Sequence, residues 1–231
     1  MPSKSGTGTE TGAVNSPPAS VSSGVFHLSL LGPFTLTGPD GQAIEIASKK
    51  NRLLLAMLAS APGRSLSRDA LAGMLWADHG EEQAPNSLRQ ALVVLRKDLK
   101  GRDTAFFAAL DSSVTLSPDL ITLDTESFQN DVRRGTRESL QRAIGLWRGS
   151  FLSDVSVSEA ELEQWLTERR EHYSNRYIAA MDWLVPLLDN HGRIDMARRL
   201  VQADNLREAS HRHLMAAYLA AGERAQALRH Y

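Results

Sequence analysis

The sequence predicts a mostly α-helical chain with a small β part, in which a mixed N-terminal half precedes an all-helical C-terminal half. Three observations predict this. Short alternating apolar runs broken by Gly and Pro fill residues 26–46. Helix-period patterns with Ser caps take over at Ser48. From Asp124 onward the strand signals disappear. The 231 residues suffice for two modest domains, and 42% hydrophobic with 23% charged residues is ordinary for a globular protein. No apolar stretch is long enough to span a bilayer, and no basic-then-apolar N-terminus marks a secretory signal. The chain has no cysteine, which excludes disulfides and thiolate metal sites and fits a cytoplasmic location. A net charge of −1 excludes coating of nucleic acid by charge alone, but not a reader with its cations on one face.

Residues 1–25 are rich in Ser, Thr, Gly and Pro and are expected to be a disordered tail. Phe26–Leu31 and Phe34–Thr37 read as strands separated by Gly32-Pro33. After the turn Gly38-Pro39-Asp40-Gly41, Ala43–Ile46 reads as a third strand of a small antiparallel sheet. Ser48 is placed to cap a helix over Arg52–Leu58, and Ser67 a second over Arg68–Trp76. A third helix is expected from Pro85 to Lys100, since Pro suits a first helical turn. Phe106–Leu110 and Val114–Leu116 flank Asp111-Ser112-Ser113 as a hairpin. Three strands, three helices and a hairpin are the layout of a winged helix-turn-helix over residues 26–123.

In residues 124–231, Ser127–Arg134 and Arg137–Trp147 read as short helices. Ser158–Glu161 is a candidate capping box for a long helix kinked near Pro186 and stopped at Asn190-His191-Gly192. Leu184, Leu188, Gly192 and Ala197 recur thirty residues on as Leu214, Tyr218, Gly222 and Ala227, a degenerate repeat of stacked helical hairpins. The last segment stops inside a helix, so a truncated C-terminus is expected.

The third helix carries the functional signal. At ~100° per residue, Leu88, Ala91, Leu92, Leu95 and Leu99 form a core-facing stripe. The other face shows Asn86, Gln90, Val93, Val94 and Lys97, flanked by Arg89, Arg96 and Lys100. Asn, Gln and Arg read base edges in the major groove, and Arg and Lys hold phosphates. A solvated amphipathic helix shows the same pattern. Its position, after a short second helix and before a hairpin, favours DNA.

Gln83–Leu92 followed by Leu95-Arg96-Lys97 resembles the recognition helix of SARP-type regulators, antibiotic-regulatory-protein-like activators with a bacterial transcriptional activator domain. The resemblance extends through Leu30–Phe34, Lys50–Ala56 and Leu71–Trp76, then Leu146–Leu152, Glu163–Leu166, Asp204–Glu208 and Gly222–Leu228. It implies a response-regulator-type winged helix followed by tetratricopeptide-like (TPR-like) helices. It further implies a dimer on direct promoter repeats that contacts RNA polymerase. On this reading Asn86, Arg89, Gln90, Val93, Arg96, Lys97 and Lys100 face double-stranded DNA, and the 106–116 hairpin is the wing beside the minor groove. Relatives often carry Arg in place of Pro85 and polar residues in place of Val93 and Val94. Residues 26–123 hold ten Lys and Arg against ten Asp and Glu, so dimerisation or tandem sites are expected to support binding. The alternative is a protein-interaction module with weakened DNA affinity, possible as the front end of a longer signalling protein.

No enzyme, cofactor, metal or membrane association is expected. His211 and His213 sit two apart on a helix and point to different faces, and they read as solvated, as do His79 and His191. Glu159, Glu161, Glu163 and Glu168 fit helix-start electrostatics better than paired catalytic carboxylates. Gly6-Thr7-Gly8 lacks the strand and helix of a phosphate loop. Trp147, Trp165, Tyr173, Tyr177 and Trp183 read as helical core.

Overall fold

The computed structural model describes residues 25–78, 80, 83–99, 106–110 and 112–230. The expected tail up to residue 24, His79, Lys100 and Asp111 of the hairpin turn lie outside the described residues.

Alternating burial makes β1 (Phe26–Ser29), with Phe26 and Leu28 inward, and β2 (Thr35–Thr37), with Leu36 inward. They pair antiparallel with Leu28 opposite Leu36. The third strand expected at Ala43–Ile46 is reduced to one bridge between Thr37 and Ala43. Ile44 and Ile46 are buried as an inward strand would be, but the Ile46 carbonyl accepts from Arg52 Nε at 2.7 Å instead of from a ladder partner. The sheet's third member comes from far along the chain. β6 (Ile121–Leu123) lies parallel to β1, so the sheet is mixed, with order β2-β1-β6.

Both Ser caps form. Ser48 accepts from the Asn51 amide at the start of α1 (Lys49–Ser60), and Ser67 from the Ala70 amide at the start of α2 (Arg68–Leu75). Between them β3 (Ser65–Ser67) pairs with β5 (Ser113–Leu116), which pairs with β4 (Phe107–Ala109), giving an antiparallel sheet of order β3-β5-β4. Between α2 and this hairpin runs α3 (Gln83–Asp98).

The remaining described helices are α4 (Asp124–Arg134), α5 (Arg137–Leu146), α6 (Ala160–Leu184), α7 (Asn190–Ala203), α8 (Glu208–Ala220) and α9 (Arg224–His230). The reciprocal capping box sits at Thr136 and Ser139, opening α5. The box expected at Ser158 does not form, because the Ser158 hydroxyl donates to the neighbouring Glu159 carboxylate and Glu159 is the cap residue. Asn190-His191-Gly192 does not end the long helix. Pro186 turns it into a short 3₁₀ segment (Val185–Leu187), and Asp189 then caps a new helix by accepting from the Gly192 amide at 2.8 Å. The thirty-residue echo survives as a helical hairpin stack. Leu184, Leu188 and Ala197 are buried in the first unit and Leu214, Tyr218 and Ala227 in the second. Gly192 and Gly222 are not equivalent: Gly192 is helical, whereas Gly222 is left-handed at φ 79° between α8 and α9.

One continuous apolar core runs from Phe26 through the winged helix into the helical half as far as Leu200. A backbone interlock joins the two parts. The amides of Arg148 and Leu152 donate to the carbonyls of Leu31 and Leu30 (both 3.0 Å), and the Ser153 amide to that of Gly32 (3.1 Å). Asp124 accepts from the Leu30 and Leu31 amides at 2.9 Å. Burial pushes its carboxyl above the ordinary carboxylate range, against those amides and the Arg148 guanidinium. Gly32 sits at φ 129°, where a Cβ would lie 2.8 Å from Arg148 Cβ. Lys50 adds a polar tie, donating to the Leu75 carbonyl at the end of α2 (2.6 Å) and to Glu159 at the start of α6. Lys50 pulls the Glu159 carboxyl down to about 2 from its ordinary 4.5.

Gly32→Ala is therefore expected to cost about 1–3 kcal/mol of unfolding free energy in urea melts, from strain plus overpacking. Gly41→Ala, also at positive φ but with nothing within 4 Å of the new Cβ, is expected to cost less. The Glu159 carboxylate has a lower pKa folded than unfolded. Its stabilisation is thus present above pH 4.5 and is lost as pH falls towards 2. Glu159→Gln is expected to flatten the pH dependence of the melting temperature in that window.

Candidate nucleic-acid interface

The rotation of α3 is set by its buried side. Ala84, Leu88, Leu92 and Leu95 are buried at helical spacing and Leu99 continues the row, while Ala91 is half-buried at its margin. Each fully buried leucine favours this rotation by about 1.5–3 kcal/mol, so the opposite face is firmly presented. Asn86, Arg89, Gln90, Val93, Arg96 and Lys97 are all exposed. The structure thus gathers six of the seven expected DNA-facing residues on one face, and Lys100 lies outside the described residues. Helical geometry puts Asn86, Gln90, Val93 and Lys97 in one line with Arg89 and Arg96 along one flank.

One contact ties that flank to the hairpin, and a cleft borders it. The Arg96 guanidinium lies over the Phe107 ring of β4, 5.4 Å from its centroid. Arg89 donates to Asn86 Oδ1 at 2.6 Å and lines a cleft of about 530 Å³ with Arg68, Asp69, Pro85, Leu88 and Ser112. Sequence reasoning missed Arg68. It follows the cap Ser67 directly, and at that position its pattern signals only a helix start. Arg68 Nε donates to the Leu110 carbonyl at 2.8 Å, and its amide donates to that of Ser112 at 3.0 Å, fixing the hairpin end against α2. At the other end of the face Lys97 shares a cleft with Asp40, Glu45 and Asp98. Its positive charge therefore stands among acids, whereas, among the described residues, Arg68 and Arg89 share their cleft with a single acid, Asp69. Such a face offers amide and guanidinium donors for base edges, cations for phosphates and an apolar contact at Val93, with Val94 at its margin.

The competing sites resolve differently from expectation in three places. His211 is not simply solvated: its Nδ1 is 3.0 Å from His230 Nε2, and its Nε2 is 2.8 Å from the Asn205 carbonyl. His213 faces Asp182 at 3.6 Å. Trp183 is 54% exposed and is not core, unlike Tyr177, stacked on Trp147 at 4.5 Å, and Tyr173, stacked on Phe151 at 5.4 Å. Among the described residues, no three His, Asp or Glu side chains are grouped to hold a metal ion, and no helix is long and apolar enough to cross a membrane.

Two protein families match the chain. The bacterial transcriptional activator domain matches residues 110–231, and "Transcriptional regulatory protein, C terminal" matches residues 41–107. The chain is 24% identical over 229 residues to the Regulatory protein AfsR of Streptomyces coelicolor, covering 90% of this chain and 22% of that protein. Its fold is similar to that of EmbR of Mycobacterium tuberculosis, solved in complex with a low-affinity phosphopeptide. The TM-score is 0.70 at 26% identity, covering 89% of this chain and 57% of that one. The chain therefore spans about a fifth of the curated relative and just over half of the solved one.

Arg68→Ala is expected to loosen the hairpin. Losing one hydrogen bond of about 0.5–1.5 kcal/mol should speed exchange of the Leu110 amide by up to about tenfold in hydrogen-exchange measurements.

Proposed function

Because the chain belongs to the bacterial transcriptional activator domain family, we propose that it is a SARP-type transcription activator that binds promoter DNA with α3 in the major groove. The observation that carries this reading is the exposed line Asn86–Gln90–Val93–Lys97 with its Arg89 and Arg96 flank. It is held outward by buried leucines and bordered by the 107–116 hairpin. An α-helix fits the major groove, and the hairpin beside it is placed as a wing at the adjoining minor groove. Asn86 and Gln90 suit adenine edges; Arg89 and Arg96 suit guanine or phosphate; Lys97, and Lys100 beyond it, suit phosphate. We assign residues 26–123 to DNA binding and the helices after Asp124 to activation. They would act as a dimer on direct repeats, with RNA polymerase as partner, in the cytoplasm. No substrate chemistry is assigned to the chain.

Val93 and Val94, 58% and 44% exposed, also suit a second reading, a protein-interaction module whose winged helix has lost its grip on DNA.

A mobility-shift series with the gene's own upstream region at several salt concentrations separates the two readings. Activator function predicts binding that weakens as salt rises. Arg89→Ala should cost about 1–3 kcal/mol on the preferred sequence, and Lys97→Ala should lower the salt slope by about one. If both variants bind as the parent does, α3 does not face DNA. An absence of salt-sensitive binding even at low ionic strength selects the interaction module.

A further inference from the structure

Val93 is the odd residue of the α3 face. Single exposed apolar side chains are common, so exposure alone says little. Its neighbours are what distinguish it. Val93 stands one helical turn from Gln90 on one side and from Lys97 on the other, in the same exposed line. It belongs to neither apolar cluster of the protein, so its isopropyl group is not needed by the core. The buried leucines on the opposite side prevent α3 from rolling to hide it. As a β-branched residue it has few side-chain rotamers to lose, so a partner that covers it pays little ordering entropy.

Resting on the reading that α3 enters the major groove, we infer that Val93 is a specificity residue that reads the C5 methyl group of a thymine. That methyl is the one apolar feature a base pair presents in the major groove. The step is also defined by helix geometry. Gln90 and Val93 are about 4.5 Å apart along the helix axis, against a base-pair rise of about 3.4 Å. With α3 lying in the groove, the isopropyl group therefore falls over a base pair close to the one beneath Gln90. A glutamine amide pairs two-pronged with adenine N6 and N7. The recognised feature is thus a pair of nearby A·T pairs, one read through adenine by Gln90 and the other through the thymine methyl by Val93.

The test uses the full chain and a duplex selected by it from a random DNA pool. Each thymine of the duplex is replaced in turn by deoxyuridine, which removes only the methyl. Burial of one methyl predicts binding about fourfold weaker at the thymine under Val93. That penalty should vanish in Val93→Ala, while adenine-to-guanine changes at the neighbouring pair still weaken this variant. Deoxyuridine neutral at every thymine, or a penalty that persists unchanged in Val93→Ala, overturns the assignment while leaving DNA binding intact. If no sequence is enriched at low salt, both the DNA-binding reading and this assignment fall. Val93 is exposed and outside the core, and thermal melting of Val93→Ala checks that its fold is unchanged.

Discussion

The interlock between Leu30–Gly32 and Arg148–Ser153 is the constraint on which the rest of the molecule depends. Three backbone hydrogen bonds cross it, and Asp124 seals its open end by taking up the Leu30 and Leu31 amides. Strand β1 has β2 on one edge and β6 on the other, yet just beyond Ser29 its backbone would be left without partners. The segment after α5 supplies them. It reaches them where Gly32 and Gly149 adopt left-handed angles and the Gly32 backbone approaches Arg148 so closely that a Cβ on Gly32 would lie 2.8 Å from Arg148 Cβ. Arg170 of α6 holds the far side of the same segment by donating to the carbonyls of Phe151, Leu152 and Val155. Leu152, at φ 48°, is thus kept in a conformation a leucine rarely adopts.

From this junction the orientation of α3 follows. Lys50 on α1 donates both to the carbonyl that ends α2 and to the carboxylate that starts α6. The cation offsets the partial negative charge of the α2 terminus while tying it to the helical half. Helix α2 packs on α3, and Arg68 at its other end fixes the hairpin. The exposed line of α3 is accordingly positioned by the helical half as well as by its own leucines. A winged helix hung on a flexible linker would lack that property. Here one apolar cluster runs from Phe26 to Leu200, so the winged helix and helices α4–α7 share a core, while the last helices pack around a second cluster.

Much of this was legible in the sequence wherever a signal was local. Ser48 and Ser67 cap as read, because a serine hydroxyl needs only the amide three residues on. The leucine row of α3 gave the buried face and, by subtraction, the exposed one. Non-local pairings were not legible. Nothing in Ile121-Thr122-Leu123 says that it lies parallel to Phe26-His27-Leu28, since parallel strands carry no turn signal between them. Ser65-Leu66-Ser67 was too short and too polar to read as a strand until β5 supplied its partner. Gly192 was misread because glycine marks a helix end in general, whereas Asp189 upstream made this one a helix start. The His211–His230 contact joins residues nineteen apart on two helices, and only the packing of α8 against α9 brings them together.

The electrostatics explain why such a molecule would need rigidity. With ten cations and ten anions across residues 26–123, one copy has little general attraction to DNA. Even Lys97, at the end of the exposed line of α3, shares a cleft with Asp40, Glu45 and Asp98. Affinity must then come from a few directed contacts made at small entropic cost, or from two copies bound side by side. Both favour a preorganised face, because every loose side chain or hinge subtracts from a small total. The interlock at Gly32, the leucine row of α3 and the Arg68 tie to the hairpin would limit such freedom before a DNA partner arrives. On the proposed reading, a weakly charged reader built this way would gain discrimination, since non-specific binding, which rests on charge, is what it would give up.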